Sequence, residues 1–577
     1  MTSPTHHFRH LPHGWGHLSL ALLFAVVATL SLLRAEQLAP TKKEANRSKP
    51  RPLVTIGKET TVITEPLLPS GYPDYLAALN QHTSQGVTPQ NNGAIVLLKV
   101  MGPQCLSESF DANAEPGAQY YQKLGIKPLP AKGDYFVPWD EYTKSILDQD
   151  LPPFAELTQE EVDNGPSIEP GEINREAILF SLITATTRRP WVARDYPYVA
   201  AWLKAQEKPL SLLEEIRRRD RYYSPVVASQ DSELLGTFDP LLLPNASRHF
   251  LVEALCARAM LACGERRFDA MLRDIEIGLR ICNYHRQTTQ GTHWIVGNNL
   301  QSTIQTAICT FMMHPQISEA QLLGLYLALD RNKTPASYWQ AIQVGERYEV
   351  LSAVCRMAAG GTNVDGEDYW YRGFRRYVWD FDLVLRLINE RINVITRISR
   401  IQDPVRRHEL YQSFMSEVPI SAFDPFETRS PGVIESLANT VSLLSREARS
   451  RELAANSLMY RVDPYLYYLK YFELNEQTTT QLNFLSISLA HYRQKHGHFP
   501  KTLNQLAPDY IDAVPLDPYS GEPFVYKSKR TEMLLYSIGR DKQDSGGYNG
   551  LVSDHDDPAI FTEGMSPVKP VEPLEDF

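Results

Sequence analysis

The sequence has little that is typical of an enzyme or of a nucleic-acid-binding protein. It contains no G-x-x-x-x-G-K-[ST], H-E-x-x-H or G-x-S-x-G motif, so the usual phosphate-binding loop, zinc-protease helix and nucleophile elbow are excluded. None of its six cysteines forms a C-x-x-C pair, so neither a zinc nor a thioredoxin-like site is indicated. The formal net charge is −10, which argues against nucleic acid as a partner. The motifs therefore name no catalytic residue.

The chain is too long for a single hydrophobic core. It has 577 residues, of which 43% are hydrophobic and 22% are charged, as in ordinary globular proteins. Such a length predicts about two to four domains.

One uncharged apolar stretch lies near the N-terminus, from Leu18 to Leu33. As a helix it would be about 24 Å long, somewhat shorter than a hydrocarbon core of ~30 Å. We predict a membrane anchor over residues 18–34, with a cleaved signal segment as the alternative, because Leu33 is a poor residue for the minus-three position of a cleavage site after Ala35. A polar tail (1–17) precedes this segment, and a linker (35–70) follows it.

The middle of the chain is predicted to be helical. Residues 71–175 indicate mixed loops and short helices, including one over 88–102 that Thr88 caps and Gly102 ends. Residues 176–470 carry apolar side chains at helical spacing. The stretch 248–285 predicts two helices broken at Gly264, and similar pairs follow, so an array of helical hairpins is expected.

Three groups in this region have both a structural and a functional interpretation. Arginines beside aromatics in 214–223 suggest nucleic acid, but a solvated helix end explains them better. His285 and His293 flank a Thr/Gln-rich turn, and loop or core histidines are favoured over a site. Glu346 and Arg347 could form a functional pair, and we interpret them as surface charges on a helix.

The last hundred residues alternate between clear helix and strand signals. A helix with an apolar stripe ends at Gly497 and cannot resume after Pro500. A proline- and glycine-rich loop, "AVPLDPYSGEP", leads into "PFVYKSK" and "MLLYSIG". These two stretches predict a strand hairpin that turns at 529–531.

This order of elements resembles the C-terminal head of the major (G-type) pseudopilins of type II secretion. The likeness covers residues 474–557. The matching positions are Gly497, Phe499, Pro500, Pro515, Asp517, Pro518, Tyr519, Gly521, Pro523, Tyr526, Tyr536, Ser537, Gly539 and Asp541. The whole chain also resembles long bacterial envelope proteins that carry such a head, a likeness that implies an architecture and no activity.

The sequence departs from the pseudopilin pattern at its other end. Pseudopilins begin with a short basic leader, followed by a Phe-Thr-Leu-Ile-Glu-type stretch that opens a long apolar helix. That stretch is absent here, and some 400 residues of other protein precede the head. We therefore expect that this chain does not polymerise as a pilus subunit does.

The resemblance implies a calcium ion in the loop that follows the second strand, because the family holds calcium there with aspartates and backbone carbonyls. The candidate ligands are the five aspartates of this region. They are Asp541, Asp544, Asp554, Asp556 and Asp557. Calcium takes six to eight oxygen ligands from flexible loops, and the EF-hand spacing is absent. The alternative is a solvated acidic loop joined to an acidic tail (558–577).

The sequence thus predicts a mainly α protein with helical hairpins, a small C-terminal α+β pseudopilin-like head and an N-terminal membrane anchor. We expect a structural or interaction protein of the bacterial cell envelope that binds a protein partner or surface polymer. The alternative is an enzyme, such as a hydrolase, with a site in the helical region. The head implies an extracytoplasmic location, whereas the basic residues after the anchor imply the opposite.

Overall fold

A computed structural model gives the fold of the chain. It describes residues 52–106, 115–145, 175–227, 245–289, 291–333, 340–360, 375–401, 404–416, 445–461, 463–548 and 557–567. The chain divides into two compact units, Met1–Pro52 with Pro69–Gly71, and Leu53–Leu68 with Tyr72–Phe577. Only residues 52 and 69–71 of the first unit are described, so the fold below is that of the second.

The described residues form a mainly helical protein with one small antiparallel sheet near the C-terminus, as the sequence predicts. The α-helices are α1 Tyr75–Thr83, α2 Gly93–Met101, α3 Glu115–Leu124, α4 Trp139–Lys144, α5 Arg175–Arg188, α6 Pro197–Ala205, α7 Glu207–Leu212, α8 Asn245–Gly264, α9 Phe268–Arg286, α10 Gly291–Met313, α11 Glu319–Asn332, α12 Arg347–Ala359, α13 Arg375–Val378, α14 Phe381–Ser399, α15 Pro404–Ser416, α16 Arg446–Arg461 and α17 Asp463–His496. A π-helix, Ala341–Glu346, precedes α12. The strands are β1 Val525–Lys529, β2 Glu532–Tyr536 and β3 Ala559–Phe561.

Helix α2 begins later than predicted. Its N-cap is Asn92, whose side-chain oxygen accepts a hydrogen bond from the Ala94 N–H at 3.0 Å. The amide of the same side chain donates to the Tyr223 carbonyl at 2.8 Å. Thr88 was the wrong cap because a partner 131 residues away in the chain fixes Asn92 at the helix start. The predicted end at Gly102 is confirmed.

The predicted helix break at Gly264 is confirmed, with α8 ending there and α9 beginning at Phe268. A Cβ atom on Gly264 would lie 2.0 Å from the Trp191 carbonyl oxygen, so only glycine lets the segment after α5 pass this close. Helices α10 and α11 follow as a second pair.

The buried apolar side chains of the described residues form two clusters. The first joins helices α2 to α11 with the apolar side of α17 and with the sheet, through residues such as Leu485, Leu535 and Ile560. The second joins residues from Val54 to Leu79 with α12, α14 and α16. The sheet and the helix that precedes it therefore share their core with the helical hairpins.

The C-terminal region follows the predicted order. Helix α17 ends at Gly497, which has a φ of 74°. Strands β1 and β2 pair antiparallel, with Val525 opposite Tyr536. Strand β3 pairs with β2 and lies in the range predicted as acidic tail, so that prediction is wrong for residues 559–561. Its three residues are too few for a periodic signal, and only pairing with β2 makes them a strand.

Residues 53–68, within the range predicted as linker, are held on α14. The Thr55 N–H and hydroxyl donate to the two carboxylate oxygens of Asp382, at 2.7 and 2.6 Å. The Asn389 side-chain amide donates to the Thr60 carbonyl at 2.6 Å. No helix within the described ranges is long and apolar enough to cross a membrane. The predicted anchor, residues 18–34, lies outside those ranges.

Candidate functional site

The acidic loop, which we define as residues 539–547, folds back on itself after β2. Four of its residues adopt left-handed backbone conformations. They are Gly539, Lys542, Gly546 and Gly547, with φ of 64°, 59°, 73° and 84°. Glycine adopts this conformation without steric cost, so the glycines in the sequence permit the tight path. The loop thereby presents its backbone N–H groups to the carboxylates described next.

Asp557 is the most buried carboxylate at this loop, with an exposed fraction of 0%. Its Oδ2 accepts hydrogen bonds from the N–H groups of Ser545 and Gly547, at 2.8 and 3.0 Å. Its Oδ1 is buried and has no hydrogen-bond partner among the described residues. A buried polar atom without a partner is costly, so this oxygen is the point where a cation would be stabilising.

Two further carboxylates lie in the same loop. Asp544 Oδ1 accepts from the Tyr536 hydroxyl at 2.8 Å and from the Gly546 N–H at 2.9 Å. Asp541 Oδ1 accepts from the Gln543 N–H at 2.8 Å. Burial raises the pKa of Asp557 to about 6; the two backbone donors oppose the rise, and the charges of Asp544 and Asp541 add to it. The three carboxylates therefore repel one another.

Of the five predicted ligands, Asp541 and Asp544 lie in the acidic loop, and Asp557 accepts hydrogen bonds from the N–H groups of that loop. Asp554 and Asp556 lie outside the described residues. Within the described ranges, no group of three His, Cys, Asp or Glu side chains is arranged closely enough to hold a metal ion. The chemistry of the donors fits a hard cation, because they are carboxylates and one of their oxygens, Asp557 Oδ1, is buried without a hydrogen-bond partner among the described residues. The described residues alone do not complete its ligand shell.

Asp517 links two segments of this region, a role that was not predicted from the sequence. Its side chain is buried, and its Oδ2 accepts from the Ser537 hydroxyl at 2.8 Å. Its Oδ1 accepts from the Tyr519 N–H at 3.0 Å. The aspartate thus joins the proline-rich loop before β1 to the end of β2. The signal was an aspartate beside Pro-Tyr-Ser-Gly, a pattern typical of an Asx-turn.

We expect Asp557 to make stability depend on pH. Its pKa rises from 3.8 to about 6 on folding, so the folded state binds more protons between these values. The contribution of Asp557 to the free energy of unfolding is therefore fully present below about pH 4, and it is lost as pH rises through about 6. Without calcium, Asp557→Asn should stabilise the protein near pH 8 by at most about 3 kcal/mol, and by little near pH 4.

Denaturant unfolding of both proteins at the two pH values, in chelator, measures this difference. The control is Asp512→Asn, which removes an exposed carboxylate of the same region. Equal effects of Asp557→Asn at both pH values would show that Asp557 ionises normally in the folded protein.

A second polar cluster lies at the N-terminus of α10. The carboxylate of Glu346, only 2% exposed, accepts from the Gly291 N–H at 2.7 Å. Arg347 is 6% exposed and donates to the Asn393 side chain at 2.7 Å, and burial lowers its pKa to about 10. The interpretation of Glu346 and Arg347 as surface charges is therefore wrong. Both residues stand where the π-helix meets α12, and they contact Gly291 and Asn393, which lie far away in the chain.

The two histidines weighed from the sequence lie in the same place. His285 and His293 are each 1% exposed, and their ring centroids are 6.1 Å apart. His293 borders a small cleft, whose walls include Thr83, Tyr223 and Thr288. The favoured interpretation as core histidines agrees with their burial. The position of His293 beside a cleft is new information.

The arginines of the segment 214–223 contact carboxylates. Arg217 forms ion pairs with Glu214 and with Glu276 of α9, and Arg219 pairs with Glu215 at 3.0 Å. These contacts are in line with the preferred interpretation of this segment as a helix end.

No family model, no curated protein and no solved structure matches this chain. The arguments about function therefore rest on the residues and contacts above.

Proposed function

We propose that this chain is a membrane-anchored structural or interaction protein of the bacterial cell envelope, in which calcium stabilises a pseudopilin-like C-terminal head. Its array of helical hairpins binds a protein partner or a surface polymer. The observation that carries the calcium part is the buried Asp557 Oδ1, which lacks a hydrogen-bond partner among the described residues. A buried oxygen without a partner beside two other carboxylates is costly, and a bound cation would compensate this cost at neutral pH, where Asp557 is ionised.

The ion would act on the joint between the acidic loop and β3. Asp557 stands two residues before β3, and its backbone N–H donates to the Tyr548 carbonyl at 3.2 Å. Asp544 is tied to β2 through the Tyr536 hydroxyl. The residues that would hold calcium are Asp541, Asp544 and Asp557, with Asp554 and Asp556 as further candidates. A divalent charge would remove their repulsion and fix β3 against β2.

Attachment to the membrane through residues 18–34, with the bulk of the chain outside the cytoplasm, is part of this proposal. The likeness of the head supports it, and the basic residues that follow the anchor oppose it. Addition of protease to intact cells tests the location. Loss of the large domain before lysis supports the proposal, whereas survival until lysis places the domain in the cytoplasm.

The second candidate function is an enzyme, such as a hydrolase, with its site in the helical region. The observation that favours it is that His293, which is buried, borders a cleft, and that the buried carboxylate of Glu346 accepts from Gly291 at the same helix N-terminus. A histidine at a cleft is a frequent component of acid–base chemistry. Hydrolysis of nitrophenyl esters, phosphates or glycosides that is lost in His293→Gln, at unchanged melting temperature, would establish this candidate.

A further inference from the structure

One arginine of α9 is buried without a counter-charge. Arg280 is only 7% exposed, and its Nε is buried with no hydrogen-bond partner among the described residues. Within the same residues, no carboxylate forms an ion pair with its guanidinium. Arg286, on the same helix, is also buried but pairs with Glu476. A buried cation without a counter-charge is strongly destabilising, so Arg280 is a point where an anion would stabilise the fold.

The carboxylate one helical turn before Arg280 already has two other partners. Glu276 precedes Arg280 by four residues, so both side chains lie on the same face of α9. The Glu276 Oε2 accepts from Arg217 at 2.8 Å, and its Oε1 accepts from Arg331 of α11 at 3.3 Å. Two guanidinium groups therefore occupy both oxygens of this carboxylate, and the charge of Arg280 is left uncompensated.

A buried acceptor without a partner lies at the end of α11. Asn332 is 4% exposed, and its Nδ2 donates to the Ala328 carbonyl at 2.7 Å. That hydrogen bond fixes the orientation of the side-chain amide, because Oδ1 in the place of Nδ2 would face another acceptor. The Asn332 Oδ1 is buried and has no hydrogen-bond partner within the described part of the chain. A ligand that supplies a donor here would remove the cost of that burial.

The packing of α9 against α11 sets position 332 beside position 280. The Gln321 side-chain amide donates to the Asp269 carboxylate at 2.7 Å, and the ion pair described above joins the two helices further along both. The numbering therefore rises in the same direction on both helices, and they run parallel. Gln321 and Asp269 are 52 residues apart in the chain, and the same separation pairs Asn332 with Arg280. An unpaired cation and an unpaired acceptor thus face the same space between α9 and α11.

We propose that Arg280 and Asn332 bind hydrogen phosphate between α9 and α11. The guanidinium donates two hydrogen bonds to charged phosphate oxygens, a geometry that its planar fork favours. The phosphate hydroxyl donates to the Asn332 Oδ1. The ion thereby compensates the charge of Arg280 and gives a partner to each of the two buried groups that lack one.

The two groups together select hydrogen phosphate over other anions. The guanidinium can only donate and the amide oxygen can only accept, so the ligand needs both charged oxygens and an O–H group. Phosphate keeps a proton at neutral pH, whereas sulfate and carboxylates do not. Because Arg280 is only 7% exposed, the site takes the free ion and not a phosphate group carried by a larger molecule. The site lies in the helical region, so it is independent of the calcium site proposed for the acidic loop.

Calorimetric titration of the full chain with inorganic phosphate tests the proposal, in phosphate-free buffer with chelator and at constant ionic strength. Phosphate should bind saturably. Sulfate should bind at least about tenfold more weakly, because it leaves the Asn332 Oδ1 without a donor. Glycerol phosphate, the probe for a phosphate group carried by a larger molecule, should also bind at least about tenfold more weakly.

Three variants assign the binding to these side chains. Arg280→Met should abolish phosphate binding. Asn332→Leu should lower the phosphate affinity to that of sulfate, because it removes the acceptor that distinguishes the two ions. Arg273→Met, at an exposed arginine of the same helix, is the matched control and should change neither affinity.

Melting temperatures without phosphate give a second readout. Arg280→Met should raise the melting temperature, because it removes a buried charge that has no counter-charge. Arg286→Met should lower it, because that guanidinium is paired with Glu476. Added phosphate should raise the melting temperature of the wild type and leave that of Arg280→Met unchanged.

Several results would overturn the proposal. One is a folded wild type that binds no phosphate, or that binds sulfate or glycerol phosphate as tightly. Another is phosphate binding that survives in Arg280→Met. A third is a lowered melting temperature, or a failure to fold, of Arg280→Met in phosphate-free buffer, which would show that the chain itself compensates the guanidinium. None of these results bears on the calcium site, because the acidic loop contributes no residue to this one.

Discussion

Arg286→Met is expected to lower the free energy of unfolding by about 3–5 kcal/mol. The Arg286 side chain is 3% exposed and pairs at 3.1 Å with Glu476, which is 12% exposed. It also donates to the Asn298 side chain at 2.8 Å. Removing the guanidinium leaves a carboxylate buried between α9, α10 and α17 without its counter-charge. The variant should unfold at a distinctly lower denaturant concentration than the wild type.

A double-mutant cycle separates this effect from lost packing. Glu476→Met alone should lower the free energy of unfolding by a similar amount, because it leaves the buried guanidinium of Arg286 without its counter-charge. The pair Arg286→Met/Glu476→Met should regain most of the stability, since two well-packed apolar side chains replace a buried ion pair at little cost. Arg451→Met, at an ion pair whose side chains are more than half exposed, is the control and should cost under about 1 kcal/mol. Additive costs in the cycle would contradict the account.

Calcium is expected to stabilise the full chain, and Asp557→Asn is expected to abolish this effect. Calcium at a hundred times its dissociation constant would contribute about 2.7 kcal/mol. The asparagine keeps an oxygen for the N–H groups of Ser545 and Gly547, but it loses the negative charge and has an amide NH2 group in place of Oδ1. Melting temperatures with calcium and with chelator measure the effect, and the full chain is required because α17 and the sheet share the core of the helical hairpins.

Variants at the neighbouring aspartates give graded controls. Asp541→Asn and Asp544→Asn should each weaken the calcium effect, because each removes one of the charges that gather at the loop. Asp512→Asn should leave it unchanged, since that exposed carboxylate lies outside the loop. A calcium shift that survives Asp557→Asn in full would remove Asp557 from the site.

The features that local sequence determines could be predicted. Glycines mark the end of α8 at Gly264 and the end of α17 at Gly497, and alternating apolar residues mark the β1–β2 hairpin. A short stretch of sequence is enough to recognise each of these signals. These signals need no knowledge of distant contacts.

The features that escaped prediction depend on residues far apart in the chain. Glu346 is buried because it accepts from Gly291, 55 residues earlier, and no local window contains that pair. Arg286 and Glu476 are separated by 190 residues, and each alone looks like an ordinary charge on a helix surface. The sequence could not show which aspartate would have a buried oxygen without a hydrogen-bond partner, because that depends on how the chain before β3 packs against the acidic loop.

The most direct test of the account is a calorimetric titration of the full chain with calcium in chelator-treated buffer. The account predicts saturable binding that is absent in Asp557→Asn and retained in Asp512→Asn. An absence of binding heat from the folded wild type, together with an unchanged melting temperature, would contradict it. The loop would then be a solvated acidic turn, and the argument for an extracytoplasmic head would lose its main support.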